Sequence, residues 1–152
     1  MYVHKIFNSL LLTALISVTM LISACSSGSN TEEVQTEEML AYLTNYDEKT
    51  KSLTFDEIEW IDESDTERIK ELGLDPESDF PSGFQIYNES EQTKSLKVSN
   101  DVEMDVVNGA NLQEPLRIDI QELAKRIQVY KPLFYLTINN NVIIKMSEKY
   151  TP

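Results

Sequence analysis

One long apolar run, Ile6 to Ile22, stands at the front of the chain, and nothing after it matches its length. It follows a short positive start, Met1-Tyr2-Val3-His4-Lys5, is diluted by Asn8, Ser9, Thr13, Ser17 and Thr19, and ends in Leu21-Ile22-Ser23-Ala24-Cys25. A basic start, an apolar middle and small residues at the end have the shape of an export signal that is cut away. The alternative is an uncleaved membrane helix, because Ile6 to Ala24 almost matches a hydrocarbon core of about 30 Å. Polar dilution and the placement of Cys25 favour cleavage, with residues 1–24 as the signal. Folding is then left to residues 25–152, the size of one small domain.

The segment Ile22-Ser23-Ala24-Cys25 resembles the lipobox of bacterial lipoproteins, with an aliphatic residue at −3, small residues at −2 and −1, then cysteine. Small side chains let a peptidase close on the backbone. The resemblance implies that the Cys25 thiol takes a diacylglyceryl group before cleavage. Two acyl chains on one residue anchor a protein stably, whereas one chain binds only marginally. The expected location is therefore the outer, extracytoplasmic face of the cell membrane. Ser26-Ser27-Gly28-Ser29-Asn30-Thr31 has no apolar periodicity, and Glu32, Glu33 and Glu37 extend its polar character. Residues 25–37 read as lipidated cysteine and tether, with a reach of roughly 20 Å if they behave as a flexible coil. A single globular domain is expected over 38–152.

Cys25 is the only cysteine, so the domain has no intrachain disulfide and must hold by its core. His4 is the only histidine and lies in the leader. The remainder thus lacks the side chains for Ser-His-Asp or Cys-His catalysis and the ligands zinc prefers. The net charge of −13 becomes one unit more negative once Lys5 leaves with the leader. Such a surface repels phosphate backbones and anionic head groups, which argues against a nucleic-acid partner.

From Met39 onward the pattern is mainly of strands. Met39 to Tyr46 and Ser52 to Ile61, joined by the polar Asp47-Glu48-Lys49-Thr50-Lys51, read as a hairpin. Leu53 and Phe55 share one phase of the alternation and Ile58 and Trp60 the other. A bulge near Asp56-Glu57 would bring all four to the core, with Trp60 as an anchor. Ser64-Asp65-Thr66-Glu67 has capping-box spacing, Ile69 and Leu72 fall on one face, and Gly73-Leu74 matches a glycine stop, which predicts a short helix. Phe84 to Asn88, Thr93 to Val98 and Val102 to Val107 read as strands, and Gly109 to Pro115 as an exposed loop. Asp119 with Glu122, then Ile120, Leu123, Ala124 and Ile127, predicts a second helix with a buried stripe. Leu133 to Ile138 and Val142 to Met146, around Asn139-Asn140-Asn141, predict a closing hairpin.

The run Leu53-Thr54-Phe55-Asp56-Glu57-Ile58-Glu59-Trp60, the helix ending in Gly73-Leu74, the strand Phe84-Gln85-Ile86-Tyr87-Asn88 and the ending Glu148-x-Tyr150-x-Pro152 resemble small uncharacterised lipoproteins and secreted domains of Gram-positive bacteria. The resemblance spans most of the domain and implies fold and address, with no activity attached. Asn140-Asn141 stands where Asn-Gly or Asp-Gly is usual in that group.

Seven carboxylates, Asp56, Glu57, Glu59, Asp62, Glu63, Asp65 and Glu67, form the densest acidic stretch, a place to look for calcium or acid–base chemistry. A calcium loop needs a glycine at its sixth position, and none occurs between Ser29 and Gly73. Alternate carboxylates on a strand face water, and those at a helix start favour its dipole. Paired carboxylates also cleave glycosides, so a small wall-active or metal-dependent hydrolase stands as the competing class. Pro81-Ser82-Gly83 is turn chemistry, with neither a G-x-S-x-G elbow nor an S-x-x-K sequence in the chain. Tyr130, Phe134, Tyr135 and Tyr150 gather at the C-terminal end, as packing or as a ligand face. The Tyr135 to Met146 hairpin is similar to the last strands of PepSY-type modules, which implies a peptidase-modulating role.

The chain is therefore expected to be an α+β domain. Five to seven strands form a strongly curved antiparallel sheet or half-open OB-like barrel with two short helices. Its expected role is non-enzymatic binding of a protein, peptide or cell-wall partner from a membrane anchor at Cys25. No catalytic residue, metal ligand or cofactor is assigned.

Overall fold

The structure, a computed structural model, describes residues 36–151, which lie within one compact unit, Glu33–Pro152. The leader, Cys25, most of the expected tether and Pro152 fall outside the described residues. Strand β1 (Thr36–Asp47) starts within the stretch expected as tether, because Thr36 and Glu37 pair with Asn139 and Ile138. It forms an antiparallel hairpin with β2 (Ser52–Asp62), in register from Leu40↔Ile58 to Asp47↔Ser52. The Asp47 side chain sets the turn by accepting from the backbone N–H groups of Lys49 (2.9 Å) and Thr50 (3.3 Å).

The remaining elements are helix α1 (Thr66–Leu72), β3 (Phe84–Tyr87), β4 (Thr93–Val106), β5 (Leu116–Arg117), α2 (Ile120–Val129), β6 (Leu133–Asn139) and β7 (Val142–Glu148). Strand order is β3-β2-β1-β6-β7-β4-β5, with a further pairing of β2 to β4 over Ser52–Asp56 and Thr93–Lys97. That pairing bends the sheet back on itself, so that β1, β2, β4, β7 and β6 follow one another in a ring. The contact of β2 with β4 is short, and β2 leaves it at Asp56 to pair with β3 from Glu59 onward. The result is the half-open barrel-like sheet expected of an α+β chain of this pattern.

Two expectations need correcting. The sheet is mixed, because β4 and β7 run parallel. The chain between them passes through β5, α2 and β6, long enough for the crossover that parallel pairing requires. Thr93–Val98 and Val102–Val107 are one strand, β4, whose ladder with β7 is irregular between Val98 and Glu103. One strand thus serves β2 with its first half and β5 with its second, while β7 runs beside both halves.

The helices form where their caps dictate. Asp65, one residue later than the capping-box spacing suggests, accepts from the Arg68 N–H (3.1 Å). Gly73 ends α1 at φ +67°, with Leu74 N–H reaching Ile69 O at 3.0 Å. Asp119 caps α2 through the Glu122 N–H (2.8 Å), and the stripe of α2 buries Leu123 and Ile127 in the ring. The hairpin of β6 and β7 turns on Asn140 (φ +49°) and Asn141 (φ +61°), and asparagine tolerates the left-handed conformation better than most residues. The ring is filled by Leu43, Leu53, Phe55, Phe134, Leu136, Ile143 and Met146, all without solvent exposure.

Candidate functional site

Alternation along the strands gives the sheet a second apolar face, outside the ring. The bulge expected at Asp56-Glu57 lies instead in β1, between Leu43 and Asn45, where Thr44 Oγ donates to Thr54 O at 3.0 Å. Strand β2 therefore keeps its two-residue period. Leu53 and Phe55 enter the main core, whereas Ile58 and Trp60 point the other way. Trp60 is not an anchor of that core. It belongs to an outer cluster in which Leu40, Ile58 and Leu133 are buried beneath half-buried Tyr42, Trp60 and Ile86. A strand that is apolar on both phases needs cover on both sides, and here β3 and the C-terminal residues supply the outer cover.

Register explains how this face assembles. Leu40 sits between Ile58 on β2 and Tyr135 on β6, and Trp60 lies opposite Ile86 on β3. Phe84, two residues from Ile86 and on the same side, stacks on Trp60 with centroids 3.9 Å apart and planes 14° apart. Tyr135 is out of phase with its buried neighbours Phe134 and Leu136 and stays 43% exposed. Lys149, just past β7, donates its backbone N–H to Leu133 O at 2.7 Å. Its ammonium lies 4.3 Å from the Trp60 ring centroid and 5.6 Å from that of Tyr135.

The four aromatic residues grouped at the C-terminal end go to separate places. Phe134 is core, and Tyr135 is on the outer face. Tyr130 donates its hydroxyl proton to Glu148 Oε1 (3.1 Å), and Glu148 Oε2 accepts from the Val107 N–H (2.9 Å). Glu148 thereby fastens the end of β7 to the chain beyond β4 and to the residue that ends α2. Its neighbour Arg126 has its guanidinium pushed up by Tyr130 first, with the Glu148 and Glu122 charges adding to it. Arg126 Nε is 3.3 Å from Glu122 Oε1 but off a hydrogen-bonding angle, so that contact is a charge attraction only. Tyr150 lines a cleft of about 400 Å³ with Leu112 and Pro115.

Most carboxylates of the acidic stretch have partners within the fold. Glu57 pairs with Lys94. Glu59 takes a two-pronged contact from Arg68 Nε (2.9 Å) and Nη2 (2.8 Å), and these bonds with the one that Arg68 donates to Glu71 hold the guanidinium above its ordinary value. Asp62 accepts from the Ser64 hydroxyl (2.7 Å) and N–H (3.0 Å), which keep its carboxyl below the usual range. Asp65 caps α1. Asp56 accepts from Asn88 Nδ2 (3.0 Å) with one oxygen, while its other oxygen is buried without a partner. Glu57 and Glu59 also line a cleft of about 340 Å³ with Tyr87, Glu89 and Lys94, where β2 passes from β4 to β3. Among the described residues no three acidic, histidine or cysteine side chains gather as a metal cage, and no helix is long and apolar enough to cross a membrane.

Sequence reasoning missed Phe84 and Lys149 as members of the outer face. The outward phase of Tyr135 was readable in Leu133-Phe134-Tyr135-Leu136. Nothing local announces that a lysine beyond the last strand returns to Trp60. No family model, curated protein or solved structure matches the chain.

Proposed function

We propose that this protein is an extracytoplasmic lipoprotein, held at the outer face of the cell membrane through acylated Cys25, whose domain is a non-enzymatic binding module. The observation that carries the binding role is the outer face of β1, β2, β3 and β6. There Trp60, Tyr42, Ile86 and the exposed Tyr135 form an aromatic surface that the core does not use. Patches of this kind, set in polar surroundings, mark sites of protein association. Anchoring is supported by Ile22-Ser23-Ala24-Cys25, and a protein or peptide partner suits a surface too acidic for nucleic acid.

Metabolic labelling with palmitate, followed by cross-linking on intact membranes, tests both halves. The native chain should carry the label and yield a discrete adduct. Cys25→Ala should lose the label and the membrane fraction, and Tyr135→Ala should keep the label and lose the adduct. An unlabelled native chain sinks the anchor, and an adduct indifferent to Tyr135 sinks the proposed face.

A further inference from the structure

The outer face already holds a cation, one that belongs to the chain. Asp and Glu outnumber Lys and Arg two to one in this protein, 26 to 13, so a lysine has carboxylates to choose from. Lys94, Lys125, Arg68, Arg117 and Arg126 take them. Lys149, like Lys49, Lys51, Lys70, Lys97, Lys131 and Lys145, has no acidic partner within ion-pair distance among the described residues, and it alone of these lies over aromatic rings, those of Trp60 and Tyr135. An ammonium within about 6 Å of an aromatic centroid is attracted by the negative face of the ring. Phe84 stacks on Trp60, and Tyr135 stands on β6, a strand paired on both sides, so both rings are carried by elements that do not include Lys149. The rings thus form a cation seat, and the residue filling it lies just past β7, held by a backbone hydrogen bond to Leu133 O.

We propose that the Trp60–Tyr135 face binds the side-chain ammonium of a lysine on a partner polypeptide, and that Lys149 fills the seat in the free protein as an internal competitor. This rests on the reading of the outer face as a docking surface and names the group it recognises. The occupant follows from the one now seated, and from a net charge of −13, which draws basic segments toward the domain. Exchanging one ammonium for another over the same rings changes little in free energy. Binding then draws on the further ammonium groups of a lysine-rich segment beside the acidic domain, and Lys149 keeps the rings covered until one arrives.

Trp60 is the only tryptophan, so emission from the full chain in detergent reports this site alone. The probe is a blocked trilysine peptide at about 0.15 M salt, where attraction to distant surface charge is largely screened. The control is the same peptide with acetylated side chains. Trilysine should change Trp60 emission saturably. Lys149→Met, which keeps the stem and removes the charge, should tighten binding about two- to five-fold, the worth of one exposed cation–π contact. Tyr135→Leu should weaken it by a similar factor, and the acetylated peptide should leave emission unchanged. If Lys149→Met fails to fold, Lys149→Gln carries the same expectation. Flat emission, equal midpoints in native and Lys149→Met chains, or equal titration by the acetylated peptide each overturn the proposal. A Tyr135-dependent adduct on membranes alongside flat emission would end the ammonium reading while leaving the docking face standing.

Discussion

The two faces of strand β2 lead to different ends. Leu53 and Phe55 enter the core of the half-open ring and lose all contact with solvent, whereas Ile58 and Trp60, on the opposite phase, meet a surface roofed by side chains alone. Both faces are apolar, and pattern alone does not separate them. What separates them is cover: strands surround the inner face, while the Phe84 ring and one lysine lie over Trp60 on the outer one. A core walled by paired strands resists change, and a roof of rings and a stem can be lifted.

The largest expected effect comes from the inner face. Phe134→Ala should lower unfolding free energy by about 3–5 kcal/mol in urea melts, as for fully buried aromatics, and a loss under about 1 kcal/mol would erase the distinction between the faces. On the outer face, Phe84→Ala should cost about 1–2 kcal/mol, from the stack with Trp60 and partial burial, and should shift Trp60 emission toward that of a wetter ring. Tyr135→Ala should fall within about 0.5 kcal/mol of the native chain, as expected of an exposed side chain. A larger loss would make Tyr135 structural and weaken its role in docking. The smallest effect lies in the turns and shows only in acid. Hydrogen bonds from Thr50 hold the Asp47 carboxyl below its ordinary range, and those from Ser64 do the same for Asp62. A carboxyl lowered by folding stabilises the fold above its unfolded value of about 3.9, and that contribution is lost as pH falls toward the lower folded value. Thermal midpoints of Asp47→Asn and Asp62→Asn should therefore converge on that of the native chain as pH drops from 5 toward about 2. A gap that stays constant with pH would mean that the charge of these groups is irrelevant.

Local signals were legible where one residue decides the backbone. Asp119 capping α2, Gly73 ending α1 and the asparagine turn before β7 were all readable, because each answers to the chemistry of a few adjacent atoms. The curl of the sheet was readable too, from short strands with turn signals between them. The union of Thr93–Val98 with Val102–Val107 was not, since Ser99-Asn100-Asp101 interrupts the apolar pattern and only the distant β7, paired with Val98 before it and Glu103 after it, carries the strand through. The destination of Trp60 was missed for a related reason: a bulge could serve β2 only if the outer face had no cover, and that cover comes from Phe84 and Lys149, distant in sequence. At the candidate site, the outward phase of Tyr135 was visible and its company was not.

The pairings of the C-terminal hairpin also order events during synthesis. Strand β7 follows every other described element, yet it alone joins β6 to β4, and β6 in turn borders β1. Until residue 148 is free, two long strands have exposed rims and no circuit exists, however much of the earlier chain has emerged. Contacts across so much chain are slow to form, so the ring stays open until β7 is available, however complete the strands before it.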